Sequence, residues 1–213
     1  MHAPVSSPNS RRSRKIRLIA SGAILFILFL GFVHPFLAIT EPVKADVIVV
    51  EGWVPNYVLP VVVSEFNRGG YTRVLVSGLE FTRNDPAYSE GSDAARTARR
   101  LASLGLDPAV VLACPAPDSD WNRTSTMART VLDRLHTLNV QPKGINVITL
   151  GPHARQSRLA YQRIAGPLVP VGVISVPKDD YVASHWWTSP AGIKKTIKDF
   201  AGWAKEFLVG PRS

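Results

Sequence analysis

The chain has 213 residues, a formal net charge of +9 and a single cysteine. That length holds one domain with a core plus an appendage, and the composition is globular rather than disordered. One cysteine excludes an internal disulfide and a cysteine-based metal cluster. The charge is uneven. Residues 1–44 carry six Lys/Arg and one acid, so the remainder is only +4, too weak a surplus to indicate nucleic acid.

In chain order, "RRSRKIR" (Arg11 to Arg17) has five basic residues and no acid. From Leu18 to Thr40 no Asp, Glu, Lys or Arg occurs. As a helix this stretch is about 34 Å long, enough for a hydrocarbon core of about 30 Å. A basic flank stays on the cytoplasmic side. Residues 1–17 therefore read as a cytoplasmic tail, 18–40 as a transmembrane signal-anchor and 41–213 as an extracytoplasmic body. The expected location is the bacterial inner (plasma) membrane, crossed once. The alternative is a cleaved signal peptide. Its apolar stretch would be long, and Ala38, with Phe36 two residues before it, makes a poor cleavage site. A lone cysteine fits an oxidising compartment.

The body alternates strands with helices. "DVIVVEG" (Asp46 to Gly52) is a continuous β-branched run, the mark of a strand buried on both faces. A helix follows from Tyr57 to Arg68, stopped by Gly69 and Gly70. Arg73 to Gly78 is a second strand. Ser89 to Gly105 is a helix capped by Ser89, with Gly105 at its end. Ala109 to Cys114 is a third strand. Thr124 to Leu138 is a helix with Met127, Val131, Leu135 and Leu138 on one face. Ile145 to Leu150 is a fourth strand, followed by a helix through Ile164. Val171 to Val176 is a fifth strand, and the last helix runs from Pro190 to Leu208. Such alternation predicts an α/β domain, Rossmann-like and doubly wound, with a mostly parallel five-stranded sheet behind one N-terminal transmembrane helix. In the last helix Ile193, Ile197, Phe200, Ala201, Ala204, Phe207 and Leu208 share one side, and Lys194, Lys195, Lys198 and Lys205 the other. The expectation is that the apolar side closes one face of the sheet; the alternative is an interfacial helix on anionic lipid.

Ligands of such sheets bind outside the carboxyl ends of the strands. The residues there are Glu51, Gly52 and Trp53 after the first strand, then Ser77, Gly78, Glu80 and Glu90 after the second. Asp118, Asp120, Trp121, Asn122, Arg123 and Thr124 follow the third. His153, Arg155 and Arg158 follow the fourth, in "VITLGPHARQSR". Asp179, Asp180, Tyr181, His185, Trp186 and Trp187 follow the fifth. Gly151 turns the backbone and Pro152 suits a first helical turn, whose free N–H groups favour an anion. Arg155 and Arg158 share a helix face and can grip a phosphate or carboxylate; otherwise they are solvated or paired with acids. His153 can donate to the same anion or act as acid or base. Glu51, Glu80, Glu90 and Asp118 can hold a divalent cation beside a phosphate. No dinucleotide, P-loop or nucleophile-elbow motif occurs, which argues against Ser77 as a nucleophile. The five histidines lack zinc spacing. Cys114 reads as buried rather than reactive.

Asp46 opening "DVIVVEGW", then "VLVSG", "SEG", a Thr-led helix and a strand ending in "GPHARQSR" together resemble the YdcF/SanA/ElyC family of bacterial proteins, over Asp46 to Val176. The resemblance implies a Rossmann-like fold and, for anchored members, a cell-envelope role linked to peptidoglycan or lipid-carrier metabolism. It also implies a nucleotide-like ligand of the S-adenosylmethionine type, because a soluble relative is associated with that molecule. The histidine carries over as His153, the threonine as Thr124 and the acid as Glu90. Departures are Glu51 and Trp53 around Gly52, Leu79 after Gly78, Met127 in an Asn position and Gln156 in an Arg position.

The expected site thus has His153, Glu51 and Glu90 for catalysis, and Gly52, Ser77, Gly78, Glu80, Thr124, Arg155 and Arg158 for a small phosphorylated ligand. Three functions are open: an enzyme, a binding module that regulates envelope-biosynthesis proteins, and a scaffold. The anchor joins the amino end of the first strand. An upright body would therefore hold the site about 17–20 Å further from the bilayer.

Overall fold

The computed structural model describes residues 8–119 and 121–210; Asp120, expected after the third strand, and the start of the basic tail lie outside the described residues. Five strands, β1 (Val47–Glu51), β2 (Arg73–Leu79), β3 (Val111–Ala116), β4 (Ile145–Leu150) and β5 (Val171–Val176), form one sheet. Its order is β3-β2-β1-β4-β5 and every pairing is parallel. Crossovers run one way from β1 and the other way after β3, so the switch point lies between β1 and β4.

Among the described residues six α-helices accompany it: α1 (Pro8–Leu37), α2 (Leu59–Asn67), α3 (Asp93–Ser103), α4 (Arg123–Thr137), α5 (Ala154–Ala165) and α6 (Pro190–Val209). The β-branched runs of β1 and β4 are buried on both faces because helices cover both. Ile48, Val50, Val74 and Val76 meet Leu59, Val62, Ala94 and Leu101 of α2 and α3 on one side. Val47, Val49, Leu75 and Val147 meet Ala128, Val131, Leu135 and Tyr161 of α4 and α5 on the other.

Two local expectations shift. The cap of α3 is Ser92, which accepts from Ala95 N at 2.9 Å, and not Ser89. Gly91, at φ +82°, breaks the chain between a short 3-10 turn (Tyr88–Glu90) and the helix. Likewise α2 begins at Leu59, after a 3-10 turn at Asn56–Val58, because Pro60 suits a first helical turn.

The larger correction concerns α1. Ser13–Leu37 is long and apolar enough to cross a membrane. Its last two turns, however, are built into the body. Val33 and Leu37 are buried with Trp186, and Trp186 Nε1 donates to the Leu30 carbonyl at 2.9 Å. His34 Nε2 lies 3.0 Å from the Tyr181 hydroxyl. Arg155, in the first turn of α5, donates to the Phe36 carbonyl. These partners all follow the carboxyl ends of β4 and β5. From there the chain returns along the outer edge of β5. Glu41 pairs antiparallel with Val173, and the Asn146 amide brackets the Val43 backbone with two 2.9 Å bonds. Only then does β1 begin. α1 therefore ends beside the strand carboxyl ends and not at the amino end of β1, so the placement behind the expected separation of about 17–20 Å does not hold.

The return segment covers an edge that would otherwise offer unpaired backbone groups. It fits because residue 172 is glycine. A Cβ there would lie 2.6 Å from Val43 N and 2.8 Å from Glu41 O, closer than real contacts allow. Gly172→Ala is expected to cost about 1–3 kcal/mol, as overpacking does. Thermal unfolding of the full chain in detergent should show a drop of several degrees, and an unchanged midpoint would contradict this packing.

Candidate functional site

A cleft of about 490 Å³ opens at the carboxyl edge of the sheet, between the ends of β1 and β4, the start of α4 and one face of α6. Its size suits a small-molecule ligand. At its base is Glu51, the last residue of β1, which is fully buried. A carboxylate without water needs partners. Thr149 Oγ1 donates to one oxygen, and Ser157 Oγ donates to the other at 2.9 Å. His153 Nε2 stands 3.7 Å from that second oxygen, and His153 Nδ1 stands 3.4 Å from Asp199 Oδ1 on α6. Trp53 meets the imidazole edge to face at 5.3 Å.

His153 thus sits between two carboxylates. Burial alone would lower its pKa, but the charge of Glu51 and the hydrogen bond and charge of Asp199 outweigh it and raise it above the usual 6.5. The 3.7 Å separation from Glu51 is too long for a hydrogen bond, so Glu51 acts on the imidazole through its charge.

The rest of the lining is strongly cationic. Lys178, Lys195, Lys198, Lys205 and Arg123 face the same space as the acids Asp93, Asp199 and Glu206. Those acids have partners in the protein. Asp93 pairs with Arg96, Asp199 with His153, and Glu206 accepts from Ser125 at 3.0 Å and faces Arg163. Lys205 lies over the Trp121 ring, 3.7 Å from its centroid, and ties α6 to the loop before α4. Among the described residues, Lys195 and Lys198 have no ion-pair partner. Burial and the Lys195 charge push Lys178 below its ordinary value, although Asp180 lies 3.7 Å away. Lys178 and Lys195 repel each other, an arrangement an anion would relieve.

The residues expected from sequence divide into three groups. His153 and Thr124 line the cleft, and Glu51 stands directly behind His153. Gly52, Ser77 and Gly78 are buried beneath it as scaffold. A Cβ on Gly52 would lie 2.8 Å from Asp93 O, and one on Gly78 would lie 2.8 Å from Asp93 Cβ. Both glycines let the first turn of α3 approach the sheet, and Ser77 Oγ donates within the sheet to Val50 O. Glu80, Glu90, Arg155 and Arg158 do not line the cleft. Glu80 pairs its backbone with Ser92, and Glu90 faces Arg99 at 3.6 Å. Arg155 holds the end of α1, and Arg158 pairs with Glu41 of the return segment. These arginines are therefore not placed to grip an anion in the cleft, whose lining holds Lys178 and the α6 lysines instead.

The expected cation site of Glu51, Glu80, Glu90 and Asp118 does not assemble either. Glu51 is enclosed, Glu80 and Asp118 are exposed, and Asp118 faces Arg123 at 3.5 Å. Among the described residues no group of three or more His, Cys, Asp or Glu could hold a metal ion. Cys114 is buried, and burial pushes its thiol up to about 12, which makes it inert. Sequence reasoning missed Lys178, Lys195, Lys198, Asp199 and Gln156 as cleft residues. The signal was the lysine side of α6.

Comparison of the chain with protein-family models finds no match, and comparison with curated proteins finds none.

The raised pKa of His153 has a definite consequence. The folded state holds this proton more tightly than the unfolded chain, so protonation stabilises the fold. That contribution is complete below the unfolded value near 6.5 and is lost as pH rises through the higher folded value. An NMR titration should place His153 above 6.5, and Glu51→Gln should lower it. A wild-type value at or below 6.5 would contradict the two-carboxylate geometry.

Proposed function

We propose that this chain is a single-pass protein of the bacterial cell envelope whose cleft takes a small phosphorylated ligand. The observation that carries the reading is the set Lys178, Lys195 and Lys198 around a histidine held by Glu51 and Asp199. Lysine ammonium groups supply point charges for phosphate oxygens. A protonated His153 would give a proton to a departing or bridging oxygen, while Glu51 and Asp199 stabilise the imidazolium. The resemblance to the YdcF/SanA/ElyC proteins supports a role in peptidoglycan or lipid-carrier metabolism. Such a role would bring envelope-biosynthesis proteins near as partners. The basic tail supports a cytoplasmic N-terminus and an extracytoplasmic body.

Trp53, Leu79, Met127 and Leu150 give the same cleft an apolar wall. That wall favours a second reading, a nucleotide-like ligand of the S-adenosylmethionine type bound without turnover. The lysines count against it, since a sulfonium cation would be repelled where a phosphate is attracted.

The test is a thermal-shift panel on the full chain in detergent, with phosphate, pyrophosphate, sugar nucleotides, polyprenyl-phosphate mimics and S-adenosylmethionine. A ligand at about 100 times its Kd adds roughly 2.7 kcal/mol. The shift should come from a phosphorylated compound. It should weaken in Lys195→Ala/Lys198→Ala by about tenfold or more in Kd, the scale of lost charge-assisted bonds. Arg155→Ala, outside the cleft, should keep it. With a hit in hand, His153→Ala separates catalyst from binder: a catalyst loses turnover and keeps affinity. A flat panel, or a shift indifferent to the lysines, would contradict the reading.

A further inference from the structure

α6 has its burial inverted. Its buried residues are Gly192, Thr196, Asp199 and Glu206, small or polar. Ile193, Ile197, Phe207 and Leu208 are 44%, 46%, 56% and 78% exposed. At 100° per residue these four share one side with Phe200 and Ala204, and the opposite side is the cleft wall of Lys195, Lys198, Asp199, Gly202, Lys205 and Glu206. The helix rests on α5, α1 and the turns around it rather than on the sheet. The expectation that its apolar side closes a sheet face is therefore corrected. A continuous apolar stripe left facing outward marks a surface with a partner.

The contacts with α1 identify that partner. Trp203 lies on the flank of α6 between cleft wall and stripe, and it meets Phe36 with ring centroids 4.9 Å apart. Phe200 lies on the stripe itself and meets Phe29 at 5.9 Å. Phe29 is seven residues nearer the start of α1, about 10 Å along its axis. Turning round α6 from cleft to stripe thus moves along α1 into its outward apolar length. There Ile24, Leu25, Phe26, Ile27, Leu28 and Phe32 are all exposed. The two apolar surfaces are continuous. Lys194, exposed beside Ile193, stands where a long stem can reach headgroup phosphates.

We propose that α6 is a second membrane contact: an interfacial helix whose Ile193–Leu208 stripe rests in the acyl boundary of an anionic bilayer beside α1. A basic, amphipathic helix lying in the interface has this make-up. The cleft then lies on the far side of one helix, about 10 Å from the lipid. This inference stands apart from the phosphate reading, since the stripe and the lysine wall are opposite faces of α6.

The experiment uses the full chain in nanodiscs containing phosphatidylglycerol. Ile197→Cys and Leu208→Cys carry a polarity-sensitive fluorophore, and Leu168→Cys, 92% exposed in the loop before β5, is the control. Cys114 is buried and stays unlabelled. The labels at 197 and 208 should be quenched by acyl-chain nitroxide lipids several-fold more than the label at 168, and shielded from aqueous iodide. Quenching equal to the control would overturn the proposal. Shielding from iodide without lipid quenching would also overturn it, because a second copy or another protein would then cover the stripe.

Discussion

Arg155 donates to the Phe36 carbonyl, and its guanidinium lies over the Phe36 ring, 4.1 Å from the centroid. The last carbonyls of a helix have no partner within it, and an arginine is well suited to close them. This contact, with Trp186 on Leu30 and Tyr181 on His34, fixes where α1 ends. Once that end is placed at the carboxyl edge of the sheet, the chain must travel back before β1 can begin. Glu41, Val43, Asn146 and Gly172 serve that return, and Arg158 pins it through Glu41.

The cleft inherits its surroundings from the same docking. α6 is held between α1 on one side and Gln156 and Arg163 of α5 on another. Gly202 lets the Gln156 amide lie against α6, and Arg163 donates to the Glu206 carbonyl. Held there, α6 delivers Asp199 to His153 and Lys195, Lys198 and Lys205 to the cleft. Its apolar side is left outside, next to the apolar length of α1. Glu51 closes the arrangement from beneath. A buried carboxylate fixed by two hydroxyls gives the imidazole a fixed charge to lean on, without solvent to screen it.

The sheet was legible because its signals are local. Continuous β-branched runs at β1 and β4, and glycine or proline at most element ends, depend on neighbours in sequence. The position of His153 was legible too, since a Gly-Pro turn after a buried strand in a parallel sheet points to the ligand edge. The arginines were not. Arg155 caps a carbonyl 119 positions away, and nothing in a basic residue's sequence context tells a backbone partner from a phosphate. The α6 lysines misled for a related reason. An amphipathic pattern shows that a helix has two sides, but which side meets protein depends on what else offers an apolar surface. Here that surface is α1. Gly52 and Gly78 looked like ligand glycines, and they serve the approach of α3 instead.

The docking of α1 is tested most directly by cysteine cross-linking of the full chain in native membranes. A short thiol cross-linker on Phe36→Cys/Trp203→Cys, whose rings are 4.9 Å apart, should close the pair rapidly. Phe36→Cys/Leu168→Cys, at the opposite edge of the sheet, should remain open. Equal rates for the two pairs would mean that α1 does not end at the cleft edge.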